Sequence, residues 1–137
     1  MIQKTRFRAR YAESDQMGLI HHSVAIVWFE QGRTELMSAL GMPYGEMERQ
    51  GWFMPVVEAG VRYRSGARFE DPIRIETRIT RVSGAKIRFD YRAIHDEEDR
   101  LFYEGFTVLG CTGANGRPRR IPEQVREISL AAIEPAE

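Results

Sequence analysis

The chain has 137 residues, its 20 Lys and Arg cancel its 20 Asp and Glu, and hydrophobic residues make up 42% of it. That length suits one domain, 1–137, able to bury a core without disulfides or metal, and the balanced charge argues against nucleic acid or an anionic membrane as a partner. The single Cys111 excludes an internal disulfide, no apolar run is long enough to span a bilayer, and Met1 leads into charged residues, so a cytoplasmic protein is expected.

From Ile2 to Tyr11 the residues alternate, with Phe7, Ala9 and Tyr11 on one side and Arg6, Arg8 and Arg10 on the other. This period predicts a half-buried strand that ends with Tyr11 in the core. The loop Y-A-E-S-D-Q-M-G-L-I-H-H-S follows and feeds a long helical pattern. It sets a carboxylate, Asp15, just before the unpaired N–H groups of a helix start. Such donors stabilise an oxyanion, and a nearby Asp can serve as nucleophile or general base. Taken alone, Asp15 reads better as a turn former.

With Ser23 as N-cap, apolar residues recur at Val24, Val27, Trp28, Leu36, Met37 and Leu40, and Gly41 and Pro43 supply the stop. Gly32 inside this helix costs roughly 1 kcal/mol against Ala, which predicts close approach of the helix to another backbone. Glu30, Arg33 and Glu35 read as a structural network along the helix.

A short helical turn is expected between Pro43 and Gly51. Four segments rich in β-branched and aromatic residues follow, Val56 to Tyr63, Ile73 to Val82, Lys86 to Ile94 and Leu101 to Cys111. Ile73, Ile75, Thr77 and Ile79 alternate with Arg74, Glu76, Arg78 and Thr80, which predicts one core face and one largely solvated face. Turns at Ser83-Gly84 and Asp96 to Asp99 make these strands antiparallel. Glu58 lies between apolar residues, where an unpaired buried carboxylate is costly. The Asn115-Gly116 turn, Pro118 and a weak helix within Pro122 to Leu130 form a tail from about residue 122.

No glycine-rich phosphate loop is present, which disfavours a Rossmann or nucleotide-hydrolysing enzyme. His21 and His22 are too close in sequence to suggest a metal set, so no metal site is expected. Strand, long helix, then four antiparallel strands make an α+β arrangement in which a curved sheet wraps one central helix.

The pattern Y-x-x-x-D-x-x-G-x-x-x-H followed by W-F-E-Q-G-R-T-E resembles the 4-hydroxybenzoyl-CoA thioesterase type of hotdog acyl-CoA thioesterases. The likeness extends from about Arg8 to Pro122 through V-V-E-A-G-V-R-Y-R-S-G-A-R-F-E-D-P-I-R-I-E-T, R-F-D-Y and G-R-P-R-R-I-P. It implies the hotdog fold, hydrolysis of an acyl-CoA to a free acid and coenzyme A, and no cofactor beyond the coenzyme A of the substrate. It also implies a homodimer or a dimer of dimers. By the same resemblance Asp15 is the catalytic carboxylate and the main-chain N–H at His22 polarises the thioester carbonyl. Tyr11, Gly18 and Glu58 fall to substrate binding, with Glu58 either reaching across a subunit interface or paired with an arginine. Lys86, Arg119 and Arg120 fall to the coenzyme A phosphates.

Two positions depart from the family pattern. Val24 stands where Asn is frequent, and His21 stands where an aromatic residue is common. Two other readings are a hotdog hydratase or dehydratase built on His22 with Asp15 or Glu58, and a noncatalytic acyl-CoA-binding module. The Asp-to-helix spacing speaks against the first, and retention of Asp15 against the second.

Overall fold

The computed structural model of the chain describes residues 1–133; the end of the tail, 134–137, lies outside them. Five strands form one sheet: β1 (Gln3–Arg8), β2 (Val56–Tyr63), β3 (Pro72–Val82), β4 (Ile87–His95) and β5 (Leu101–Leu109). Their spatial order is β1-β3-β4-β5-β2 with every neighbour antiparallel. Three helices accompany the sheet, α1 (Val24–Ala39), α2 (Tyr44–Arg49) and α3 (Glu123–Ala131).

The inward residues of β3 are those the alternation names, since Ile73, Ile75, Thr77 and Ile79 are all fully buried. They meet α1 through Ala25, Trp28, Phe29, Gly32, Leu36 and Met37. Phe29 stacks flat on Tyr91 of β4 at 4.5 Å, and Trp28 meets Phe7 of β1 edge-on at 5.3 Å. The helix ends as expected. Gly41 adopts a left-handed φ of 85°, its N–H bonds to Ser38 O, and the Met42 N–H reaches back to Met37 O. These two bonds satisfy carbonyls that a helix end otherwise leaves bare.

Gly32 is where the helix touches the sheet most closely. A Cβ there would stand 2.3 Å from Thr77 Oγ1 and 2.9 Å from Ile75 Cγ2. Removing one carbon lets α1 settle into the sheet, and the packing gained offsets the propensity lost.

Several expectations change. The first strand stops at Arg8, and the chain turns through a 3-10 segment at Tyr11–Glu13, leaving Tyr11 76% exposed and edge-on to Phe69 instead of in the core. A local hydrogen bond decides this, because the Glu13 carboxylate accepts the Arg10 N–H at 2.8 Å and bends the backbone away from the sheet. Val27 is 55% exposed, since the buried stripe of α1 runs through Trp28 and Phe29. Arg33 does not pair along the helix with Glu30 or Glu35. It is buried, 3.4 Å from the Tyr91 hydroxyl and over the Tyr44 ring, and burial raises both phenols above their ordinary range.

The face of the sheet turned away from α1 is less solvated than its charges suggest. Arg74 holds Glu76 at 3.1 Å and both Asp96 and Asp99 at 2.8 Å, and Arg88 holds Asp90 at 3.2 Å. Arg74 keeps the Asp96 carboxyl below the usual carboxylate range. Arg78 is buried on this face too. The arginines therefore lie flat along their own strands and over the β4–β5 turn, covering the face with their stems.

Gly32→Ala tests the contact between α1 and the sheet. Helix propensity would gain roughly 1 kcal/mol, while overpacking a tight contact costs about 1–3 kcal/mol. The expected net result is a fall in Tm of about 5 °C, followed by thermal circular dichroism. An unchanged or raised Tm would show that α1 can lift off Thr77 freely.

Candidate active site

The loop from Glu13 to His21 folds into a small antiparallel ribbon. Glu13 O accepts the His21 N–H at 2.9 Å, Ser14 bridges Ile20, and the Asp15 N–H donates to Leu19 O at 2.7 Å. Gly18, with φ of 78°, closes the turn by donating to Asp15 O at 3.1 Å. A side chain there would strain this left-handed position, so the observed role of Gly18 is to make the turn. The ribbon is fastened to the body of the fold through the Ile20 N–H, which bonds to Ala67 O at 2.9 Å.

Asp15 sits at the ribbon's tip, exposed, beside a hollow of about 500 Å³ lined by Tyr11, Ala12, Ser14, Asp15 and Gln16. Its Oδ1 accepts the N–H groups of Met17 at 2.8 Å and Leu19 at 3.1 Å. The turn-forming reading and the chemical reading thus coexist in one side chain. One oxygen is held by the backbone and fixes the carboxylate, while Oδ2 has no partner among the described residues.

Where the ribbon enters α1, the N–H groups of residues 21–24 can be followed one by one. His21 N–H goes to Glu13 O, Ser23 N–H to His21 Nδ1 at 3.2 Å, and Val24 N–H to His21 O at 3.0 Å. The His22 N–H finds no acceptor among the described residues. Ser23, expected to cap with its hydroxyl, has helical dihedrals and turns its Oγ to His21 Nδ1 at 2.8 Å. His21 thus takes over part of the capping duty, using both its ring nitrogen and its carbonyl. The His22 peptide is steadied from the other side by Tyr63 of β2, whose hydroxyl donates to His22 O at 2.7 Å.

Asp15 and His22 lie about three residue steps apart along the ribbon, roughly 10 Å of backbone. Tyr11 shares the hollow with Asp15. Glu58 does not belong to this site within a protomer. It pairs with Val108 on the sheet face turned away from α1 and is exposed, so the expected burial is absent and no ion pair holds it among the described residues.

The cationic end is drawn together elsewhere. The Arg120 guanidinium lies over the Ser83-Gly84 turn so closely that a Cβ on Gly84 would stand 2.4 Å from its Nη2, and the Ile121 N–H bonds to Gly84 O. Lys86 ends the same turn, with its N–H on Ser83 Oγ at 3.0 Å. Arg119 turns its Nε to the Arg120 carbonyl instead. This corner adjoins the Val56 end of β2, because Val56 and Ile87 both pair with Leu109. Asp15 and His22 are at the Tyr63 end, roughly eight residue steps or ~26 Å away.

Sequence reading passed over Glu13, Trp28 and Tyr63 as parts of this arrangement. Glu13 had a signal, since it stands three residues after Arg10 in the spacing by which a Glu reaches back to an N–H. Burial pushes the Cys111 thiol up, which keeps it protonated and removes it as a nucleophile. Among the described residues no group of three or more His, Cys, Asp or Glu is placed to hold a metal, and no helix is long and apolar enough to cross a membrane.

Residues 9–128 match the thioesterase-like superfamily. The hypothetical protein TT1821 of Thermus thermophilus is 38% identical and superposes with a TM-score of 0.90 over 96% of this chain and 98% of its own. The DHNA-CoA thioesterase of Staphylococcus aureus is 29% identical, with a TM-score of 0.90 over 95% and 89% of the two chains. A Bacillus subtilis protein provisionally named acyl-CoA thioesterase YneP is 36% identical over 90 residues, which span 66% of this chain and 65% of that one. With an antiparallel sheet closed around α1 and a match running from Ala9 to Ile128, the chain belongs to the thioesterase-like superfamily and has the hotdog fold of its thioesterase neighbours.

Proposed function

We propose that the protein is an acyl-CoA thioesterase in which Asp15 supplies the reactive carboxylate and the His22 N–H the oxyanion donor. One observation carries this reading: the His22 N–H ahead of α1 has no acceptor among the described residues, and it follows directly on the ribbon that holds a carboxylate with an unpartnered oxygen. The thioester oxygen would accept the His22 N–H, which strengthens as charge gathers on that oxygen. Asp15 then either attacks the carbonyl carbon, giving a mixed anhydride that water cleaves, or takes a proton from the attacking water. Either route consumes one water and releases a carboxylic acid and coenzyme A as thiol. A thiolate is a good leaving group, so no metal or redox cofactor is needed.

The same reading makes the working unit a homodimer joined through β2. The two sheet edges differ. Outer edge β1 carries Lys4, Arg6 and Arg8, a guard against further pairing, whereas β2 exposes Val56, Val57 and Tyr63. Val27 of α1 and Met17 of the ribbon tip, 79% exposed, extend this uncovered apolar surface. Antiparallel pairing of β2 with β2 about a two-fold axis sets the Val56 end of one protomer beside the Tyr63 end of the other. The distant cationic corner then comes from the second copy, with Lys86 and Arg120 of one protomer facing the coenzyme A bound over Asp15 and His22 of its mate. Two such dimers could pair in turn to give a tetramer, with the acyl pocket unchanged.

The chemistry is tested by three variants assayed for thiol release from a panel of acyl-CoAs. Asp15→Asn should lose about 10²-fold or more in turnover while the fold persists. His22→Ala keeps the backbone donor and should stay within a few-fold of wild type. His22→Pro removes the N–H and should fall by about 10²–10³-fold. Full turnover by Asp15→Asn, or equal behaviour of the two His22 variants, would sink the assignment.

The assembly is tested with Val57→Asp, which places a charge on the open edge. The expected outcome is dissociation in light scattering with parallel loss of thiol release. An active monomer would refute the shared site.

Neutralising Lys86 and Arg120 together should raise KM for acyl-CoAs with turnover little changed, because phosphates far from the reacting bond contribute uniform binding. A truncated thioester without the nucleotide should be hydrolysed as well by this variant as by wild type. Equal losses on both substrates would place the phosphates elsewhere.

A further inference from the structure

Glu13 is a buried carboxylate, 8% exposed, two residues before Asp15. A charge in that position is costly unless hydrogen-bonded, and both its oxygens are engaged. Oε1 accepts the Arg10 N–H at 2.8 Å, Oε2 accepts the Trp28 indole N–H at 3.0 Å, and the Arg10 guanidinium lies 3.5 Å away. Trp28 belongs to α1 and is 1% exposed, wedged between Phe7 of β1 and Tyr103 of β5. Its ring is packed on both sides and almost fully buried. Through Glu13 the ribbon is therefore bolted to the helix whose mouth holds the His22 N–H.

The main chain of Glu13 acts on the same site independently. Its carbonyl takes the His21 N–H at 2.9 Å. That bond occupies the donor next to His22, while the His22 N–H itself has no acceptor among the described residues. A single residue thus ties the ribbon that carries Asp15 to α1 and occupies the N–H beside that of His22.

We propose, building on the thioesterase reading, that Glu13 is the positioning residue of the active site. It holds the distance and angle between Asp15 and the His22 N–H, and it touches neither substrate nor the reacting atoms. Misplacement of reacting groups by about 1 Å costs on the order of 10²-fold in rate, while the coenzyme A phosphates are gripped at the distant Lys86 and Arg120 corner, which Glu13 does not touch. Loss of Glu13 should therefore appear in kcat and not in KM.

The test uses Glu13→Gln, Trp28→Phe and the double variant in the full-length protein. Gln cannot accept both N–H groups in place of the carboxylate, and Phe keeps most of the ring packing while deleting the indole donor. Each single variant should lower kcat about 10- to 100-fold with KM within about 3-fold of wild type. The double variant should lose no more than the worse single one, because both delete the same bond. Hydrogen exchange adds a readout independent of turnover: the amides of residues 13–22 should exchange faster in Glu13→Gln, with those of the second half of α1 unchanged. A kcat that stays at the wild-type value, single losses that multiply in the double variant, or exchange unchanged in the ribbon would each overturn the proposal. A wild-type protein that releases thiol from no acyl-CoA would overturn the thioesterase reading itself, and the positioning role with it. A wild-type enzyme that works and a Glu13→Gln variant that works equally well would overturn only the role of Glu13.

Discussion

The contact of Gly32 with Thr77 governs the geometry of the whole protomer. It sets how deeply α1 sits in the sheet, and the depth of α1 sets where its first turn emerges relative to β2 and the ribbon. Ordinary helix–sheet packing has room for side chains between the backbones, but here the only carbon lost is the one that would have struck the Thr77 hydroxyl. Around that point Phe29 can stack flat on Tyr91 and Trp28 can reach Phe7 and Tyr103 together. A helix seated higher would leave both aromatic rings short of their partners and would carry the His22 peptide away from the Tyr63 hydroxyl.

Much of this frame was legible in the residues. The alternation of Ile73, Ile75, Thr77 and Ile79, the cost of Gly32 and the Gly41 to Pro43 stop each have one physical meaning, and each is found in that form. What escaped depends on events that a local pattern does not encode. Tyr11 continues the β1 alternation, yet one hydrogen bond from Arg10 to Glu13 ends the strand before it. Glu58 looks like its apolar neighbours' equal in the strand pattern, and the place of β2 at the sheet's edge leaves it uncovered, while Val27 falls just outside the stripe of α1 that Trp28 and Phe29 bury.

The candidate site divides along the same line. The spacing from Asp15 to His22 could be read, and the resemblance gave it chemistry. That the His21, Ser23 and Val24 N–H groups are occupied could not, because their acceptors are a carbonyl across the ribbon and the ring and carbonyl of His21. Lys86 and Arg120 illustrate the opposite case. Their charges were visible, while their meeting over the Ser83-Gly84 turn required the tail to fold back on that turn.

The strand order has a consequence for how the chain assembles and comes apart. β3, β4 and β5 are successive hairpins whose pairing closes short loops, whereas β1 meets β3 only after α1, α2 and β2 have been made, and β2 must reach past two strands to find β5. Loop closure is slower and less favourable the longer the intervening chain. The central meander is then the early and durable part, and the two edges with α1 between them close last. The ribbon lies in that late segment, between β1 and α1, and being tied to α1 it opens when α1 does. Mild denaturant should silence the protein while its central hairpins are still intact.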